Sequence, residues 1–427
     1  MLDLKFIREN VEMVKEAISI KNVHLNLDEL LQVDRELQAS KQKMQDLQTE
    51  RNANAKKIPS AKPEDRPELI SRGKEIATEI EKLKPQQTKL EEELQKLMWM
   101  VPNIPSEKAP RGRDESDNVE VKRSGTIPSF DFTPKNHIQI LTDNNWAEFE
   151  RIAEVSGSRS YALKNEMVLL ELAIHRLALE ILLAKNFSLL TVPSLVRQEA
   201  LYGTGHFPTG KDQVYYLQED DLYLSGTAEV QLNSLHRGEI LEESKLPMRY
   251  AGYSPCFRRE AGSYGKDVKG LIRVHQFMKV EQYVITKNDP EESDRIHQEL
   301  LATAEEVMRS LELPYRVVEC CTGDMGAGKV RMFDIEGWVP SEGKYRETHS
   351  CSNLQDWQAR RSDLRYRSST GKVLYCHTLN NTAIATPRIL VPLLEVHQQK
   401  DGRIYVPKAL RAFLGGREFL GVAGGAV

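Results

Sequence analysis

The chain has 427 residues, 59 basic and 63 acidic side chains, a formal net charge of −4, 40% hydrophobic and 29% charged residues, and a mean hydropathy of −0.50. This excludes a disordered chain and, with no apolar run of about 18 residues, a membrane-spanning helix. The net charge argues against a surface built wholly for nucleic acid, although an average can conceal a local patch.

The amino terminus, Met1-Leu2-Asp3-Leu4-Lys5, lacks the basic and apolar regions of a secretory signal. Five cysteines with no CxxC pair argue against a disulfide framework or structural zinc, so a reducing, cytoplasmic setting is expected. Phe6, Ile7, Val11, Val14, Ala17 and Ile18 have helical spacing and predict one short helix, packed on the base of a long helical arm.

That arm is marked by a heptad pattern between Leu27 and Met98, which runs through Leu30, Leu37, Met44 and Ile58, with Val33 and Leu47 at the other seam position and polar Ser40 interrupting it. After a break at Pro59–Pro67 it resumes as Leu69, Ile76, Leu83, Leu90 and Leu97, with Ile80 and Leu94 between. The pattern predicts an antiparallel coiled coil roughly 45 Å long, with Pro85 kinking its second helix. The segment Arg51–Lys62 carries Arg51, Lys56, Lys57 and Lys62 and no acid. Such a tip suits a phosphate backbone, and a solvated tip is the other reading. Val101-Pro102-Asn103-Ile104-Pro105 stops the helix, and residues 106–130 read as a connecting loop. The expected division is a helical domain at 1–105, with the arm at about 27–98, and a second domain at 106–427.

From about Asn136 the texture is globular. Helices are expected near Val168–Leu183 and Ser293–Leu311, and strands at Val214–Leu217, Arg249–Tyr253, Val274–Ile285 and Tyr315–Val318. Strands that succeed one another without an intervening helix favour an α+β fold, an antiparallel sheet flanked by helices. The chain has neither GxGxxG nor GxxxxGK[ST], so a bound nucleotide is not held by a Rossmann or P-loop device.

The densest chemistry lies between Pro255 and Phe277, a strand, a glycine-punctuated loop and a second strand. Alternation puts Arg273, His275, Phe277, Lys279 and Glu281 on one face, and Arg258 with Glu260 on one face of the first strand. Arginine forks, carboxylates and a flat aromatic on one sheet surface suit a nucleoside phosphate. Cross-strand ion pairs are the alternative reading.

The Phe257-Arg258-Arg259-Glu260 segment resembles motif 2 of class II aminoacyl-tRNA synthetases, and Leu379–Leu390, with Thr386-Pro387-Arg388, resembles their motif 3. Thr386 is expected to cap the helix that Pro387 opens, mounting Arg388 at a strand-to-helix junction. Leu189–Val196 is similar to motif 1, the dimer-interface element. The arm, the Gly226-Thr227-Ala228-Glu229 loop and the Arg346–Ser352 strand resemble the seryl-tRNA synthetases of the bacterial type, in order and over nearly the whole chain.

The resemblance implies a serine–tRNA ligase that uses ATP with Mg²⁺ and no zinc, acts on L-serine and on tRNA(Ser), with tRNA(Sec) a further expected substrate, and works as a homodimer. A class II paralogue loading a non-tRNA acceptor is the alternative. The catalytic set implied is Arg258, Glu260, Arg273 and Arg388. Arg258 would hold the α-phosphate and the substrate carboxylate, and Glu260 the adenine amino group. Phe277 and Arg388 would sandwich adenine, and Arg273 would meet the phosphates. Arg259, Val274, Thr348 and His349 complete the implied ATP site, and Glu347 and Ser350 the Mg²⁺ ligands. Thr227, Ala228, Glu229, Glu281 and Thr382, with Arg258, would surround serine, and Arg51, Lys56, Lys57 and Lys62 would meet tRNA. Departures from the family pattern are Arg259 in motif 2, the Asn380-Asn381-Thr382-Ala383 form of motif 3, and Gly337, expected to soften its strand.

Overall fold

The computed structural model describes residues 1–262, 265 and 269–421. Most of the glycine-punctuated loop after Gly262 therefore lies outside the described residues. The chain forms two compact units: residues 2–19 with 23–102, and residue 1 with 20–22 and 103 onward.

The first unit is helical. Two helices stand where one was expected, α1 (Leu4–Glu9) and α2 (Val11–Ile20). Asn10 separates them, because its backbone N–H and its side-chain amide both donate to the Phe6 carbonyl, each at 2.9 Å. Asp3 caps α1, and Arg8 joins α1 to the base of the arm through two 2.7 Å bonds to Asp34.

The arm consists of α3 (Leu27–Lys57) and α4 (Arg66–Met100), linked through a 3₁₀ turn at Ile58–Ser60. Leu30, Val33, Leu37 and Leu47 are buried on α3, and Ile76, Ile80, Leu94 and Met98 on α4. The heptad seam is thus the packing seam. α4 continues through Pro85. Near the tip the buried Asn54 donates to the Leu69 carbonyl at 2.6 Å. That bond fixes the register of the two helices where apolar contacts thin out.

The second unit is built on an eight-stranded sheet. Its strands are β1 (Val119–Ser124), β2 (Ser188–Thr191), β3 (Met248–Phe257), β4 (Gln276–Thr286), β5 (Tyr315–Glu319), β6 (Arg331–Val339), β7 (Lys344–Gln355) and β8 (His377–Thr386), in the order β1-β5-β6-β7-β8-β4-β3-β2. All neighbours are antiparallel except β2 and β3. The α+β expectation therefore holds.

The 106–130 stretch is not simply a connecting loop, since β1 lies within it. β1 is an edge strand whose Val119 and Val121 face solvent among charged neighbours, so no half-buried alternation marks it in the sequence.

Helices α5 (Glu166–Ala184), α6 (Pro290–Ser310) and α7 (Leu390–His397) join the sheet in one core, which includes Ile174, Leu182, Val280, Val284, Leu300, Ala383 and Leu393. Residues alternating with these on β4 and β8 point to the other face, where they line a cleft. Gly337 on β6 sits where a Cβ would come within 3.3 Å of the Pro392 ring on α7, so the missing side chain makes room for that helix.

Candidate active site

Three neighbouring strands supply about half of the cleft. Phe277, Lys279 and Glu281 come from β4, Glu347, Thr348, Ser350 and Ser352 from β7, and Asn380, Thr382, Ala385 and Thr386 from β8. A register shift between Val280 and Glu281 adjusts β4 against β8 at the point where Glu281 enters the cleft.

Arg258 and Glu260 also line the cleft, but by a different device from the expected strand alternation. β3 ends at Phe257, and Glu260 turns with φ 51°, in the left-handed region. The Arg258 guanidinium lies 5.1 Å from the Phe277 ring centroid, placing a cation over an aromatic platform. Arg273 binds the Glu260 carboxylate at 2.9 Å. Arg388 donates to the Ile272 carbonyl at 3.2 Å and to the Glu347 carbonyl at 3.3 Å, and lies 3.7 Å from the Glu347 carboxylate.

Thr386 does not cap the helix after it. α7 starts at Leu390 after an Ile389 cap that makes no side-chain bond, and Pro387 precedes the first turn. Thr386 is buried at the end of β8, so its hydroxyl finds partners on α5. It donates to Glu171 at 2.6 Å and meets His175 Nε2 at 2.7 Å. Arg388 is still held between strand and helix.

The other end of the cleft is a small polar pocket. Lys279 is buried, donates to the Thr227 hydroxyl at 2.8 Å and pairs with Glu281. Thr227 in turn donates to Glu281 at 3.3 Å. Glu229 accepts from Gln358 at 2.6 Å and from Asn380 at 2.8 Å. Burial raises the pKa of both glutamates, and the Lys279 ammonium opposes the rise at each. Thr382 lines this pocket with its side chain almost wholly covered.

Glu347 and Ser350 offer hard oxygen donors beside Asp334, which faces Ser350 across β6 and β7. Burial, then the Glu347 charge, pushes the Asp334 carboxyl up to about 8, and its Oδ1 is buried without a hydrogen-bond partner. An oxygen-rich, acid-lined corner fits Mg²⁺ rather than a soft metal.

Three residues assigned to the site from the sequence lie outside the lining, and so does His275, which alternation put on the same face. Arg259 is exposed, with its N–H on the Gln213 carbonyl. Ala228 is fully buried, packed so closely that a Cβ on Gly252 would come within 2.6 Å of its own. His349 faces inward, meeting Thr348 Oγ1 at 2.8 Å and the Ala383 carbonyl at 3.0 Å, and burial lowers its pKa to about 4. His275 precedes β4, so alternation does not govern it. It sits in a neighbouring recess with Tyr215 and Arg159.

Conversely, His206, Lys279, Lys329 and Asn380 line the cleft without having been assigned to it. Alternation along β4 already put Lys279 on this face. His206 and Lys329 come from loops far away in the chain, and no local pattern marks them. Burial, then the charges of Arg258, Lys279 and Lys329, lowers His206 to about 4, so its imidazole is neutral.

In the helical unit, Arg51, Lys56, Lys57 and Lys62 are exposed. Lys62 lies 4.0 Å from Glu64, whereas Glu50 is taken up by Arg72 at 2.8 and 3.1 Å.

Residues 1–105 match the seryl-tRNA synthetase N-terminal domain, and residues 214–397 the tRNA synthetase class II core domain shared by the G, H, P, S and T enzymes. A serine–tRNA ligase of Deinococcus radiodurans is 59% identical, over 99% of each chain. The crystal structure of seryl-tRNA synthetase from Pyrococcus horikoshii complexed with ATP superposes with a TM-score of 0.92 at 40% identity, covering 99% of this chain and 100% of that one. The cytoplasmic serine–tRNA ligase of Naegleria fowleri in complex with AMP superposes at 0.87 and 27%, covering 99% of each.

Proposed function

The chain belongs to the seryl-tRNA synthetase family, the class II serine–tRNA ligases, and from that premise we propose how its cleft activates serine and passes it to tRNA. The carrying observation is that Arg258, Glu260, Phe277 and Arg388 converge in the cleft that also holds Thr227, Glu281 and Thr382.

Adenine lies on Phe277 with its amino group toward Glu260, and Arg388 closes over it. Arg258 draws the serine carboxylate and the α-phosphate together, and Arg273 meets the phosphates. The carboxylate oxygen attacks the α-phosphorus, giving seryl-adenylate and pyrophosphate. The terminal ribose hydroxyl of tRNA then attacks the activated carbonyl, releasing AMP. No side chain becomes a covalent nucleophile, so rate comes from positioning and from charge already in place. Mg²⁺, held by Glu347 and Ser350, would supply charge neutralisation at the phosphate oxygens.

Specificity arises from the buried pocket. Glu229 and Glu281 meet the ammonium group, and Thr382 and Glu281 the hydroxyl. Alanine leaves those polar groups unpaired and is rejected.

The division of labour proposed is a tRNA-reading domain at 1–105, through the basic arm tip, and catalysis by 106–427. A reading of tRNA shape extends to tRNA(Sec). A homodimer would cover Val168, Leu169 and Leu172 of α5 and Leu189 of β2, which stand exposed as large apolar side chains. A cytoplasmic location suits the five free thiols. The experiment that tests the reading is aminoacylation of bulk tRNA with each amino acid, alongside ATP–pyrophosphate exchange. Charging by serine alone is expected, and exchange supported by another amino acid would overturn it.

A further inference from the structure

Lys329 enters the cleft from the loop between β5 and β6, where its charge is felt by Glu229 and by Asp334 on β6. Among the described residues, its ammonium makes no hydrogen bond or ion pair. Its charge and that of Arg258 both act on Glu229 and His206, so the two cations flank the same stretch of the cleft. A half-buried, unpaired ammonium in a polar cleft is an anion subsite.

The loop that presents Lys329 is held by an unusual device. Lys21 is buried and, among the described residues, has no carboxylate partner; it donates to the carbonyls of Gly326 at 3.3 Å, of Ala327 at 3.1 Å and of Lys329 itself. Three carbonyls match the three N–H directions of a protonated lysine, while burial, then the nearby Lys329 charge, holds the Lys21 amine well below the usual lysine range. The loop is also gripped by Asn103, whose N–H donates to the same Ala327 carbonyl at 2.8 Å and whose amide donates to the carbonyls of Gly328 at 3.1 Å and Leu354 at 2.9 Å. Between them Gly328 lies so close to the Trp357 ring that a Cβ would come within 2.6 Å of it. Three successive residues thus have their backbone fixed by side chains remote in sequence, and the next one carries the cation.

We infer that Lys329 is an anion-binding residue of the reacting centre, sharing with Arg258 the charge of the α-phosphoryl and serine carboxylate groups, and that Lys21 is the positioning residue that holds it there. This rests on the synthetase reading of the cleft. As the carboxylate oxygen bonds to phosphorus, the bond from phosphorus to the β-bridging oxygen breaks, and its electron pair leaves with pyrophosphate. Lys329 donates hydrogen bonds to the non-bridging oxygens through this step and loses no proton.

The test is serine-dependent ATP–pyrophosphate exchange by the full chain carrying Lys329→Met, Lys329→Arg, Lys21→Met, or both methionines, with melting temperatures alongside. Lys329→Met should lower kcat about tenfold and Lys329→Arg should restore most of it. Lys21→Met should lower kcat by a smaller factor, and the double variant should fall no further than Lys329→Met alone, because both changes remove the same cation from the same place. Asn103→Ala, which removes the bond to the Gly328 carbonyl, serves the same cycle if Lys21→Met does not fold. Unchanged kcat in Lys329→Met, or factors that multiply in the double variant, would overturn the inference. Loss of serine-dependent exchange in the unmodified chain would instead remove the reading of the cleft.

Discussion

The ammonium of Lys279 stands 2.8 Å from the hydroxyl of Thr227, inside a pocket where it also neutralises Glu281. In the empty cleft this buried cation keeps a buried glutamate from standing alone, close to where the substrate's own ammonium would arrive. Without Lys279 the burial-driven rise of Glu281 is less opposed and the carboxyl takes up a proton, losing its pull on the substrate ammonium, so Lys279→Met should raise the serine KM by about tenfold while the ATP KM moves little. Equal rises in both constants would show that Lys279 supports the whole cleft rather than its serine end.

Thr382 faces the same pocket from β8. Thr382→Val keeps the shape and removes the hydroxyl. The serine KM should rise by a factor of about ten while the ATP KM holds, as expected for one lost hydrogen bond of about 1–2 kcal/mol. Exchange kinetics with an unchanged serine KM would take Thr382 out of the site.

The arm is a compact helical unit with its own seam. Replacing Asp28–Met98 by a short glycine linker should abolish tRNA charging and leave ATP–pyrophosphate exchange largely intact. Alanine at Arg51, Lys56, Lys57 and Lys62 together should weaken tRNA binding and flatten its dependence on salt by up to about four counter-ions. A salt slope equal to that of the unmodified chain would clear those four residues of phosphate contact.

Buried imidazoles set the acid limit of stability. Burial lowers His175, His297 and His377 from 6.5 to about 4. Between those values the unfolded chain binds protons that the folded chain refuses, so their contribution is complete above pH 6.5 and is lost as the pH falls toward 4. The melting temperature should be level from pH 7 to 8 and fall steeply below 6. His297→Gln should soften that fall. A curve level down to pH 4.5 would mean that these rings protonate without cost.

What the sequence disclosed and what it concealed divide along physical lines. The arm was legible because a seam of period 3.5 leaves its mark on every turn, and the cleft residues of β4 because alternation sorts faces locally. Arg258 and Glu260 were assigned to the right cleft for an incomplete reason, since the left-handed turn at Glu260, not a strand, brings them together. Thr386 misled because a threonine before a proline and a helix reads as a cap, whereas its partners Glu171 and His175 lie more than two hundred residues earlier. β1 was missed because an edge strand with both faces wet has no hydrophobic alternation. Lys329 and Lys21 were invisible because a lysine bonded to backbone carbonyls imposes no identity on the residues it binds.

All five cysteines are free and buried, and burial raises the thiols of Cys256, Cys351 and Cys376, the last to about 12. Such thiols present almost no thiolate to a reagent at neutral pH. Burial covers all five, so the native chain is already a silent background for labelling. A cysteine introduced at Ala61, beside the arm tip, would carry a fluorophore alone, and would report tRNA arrival without any native thiol having to be removed first.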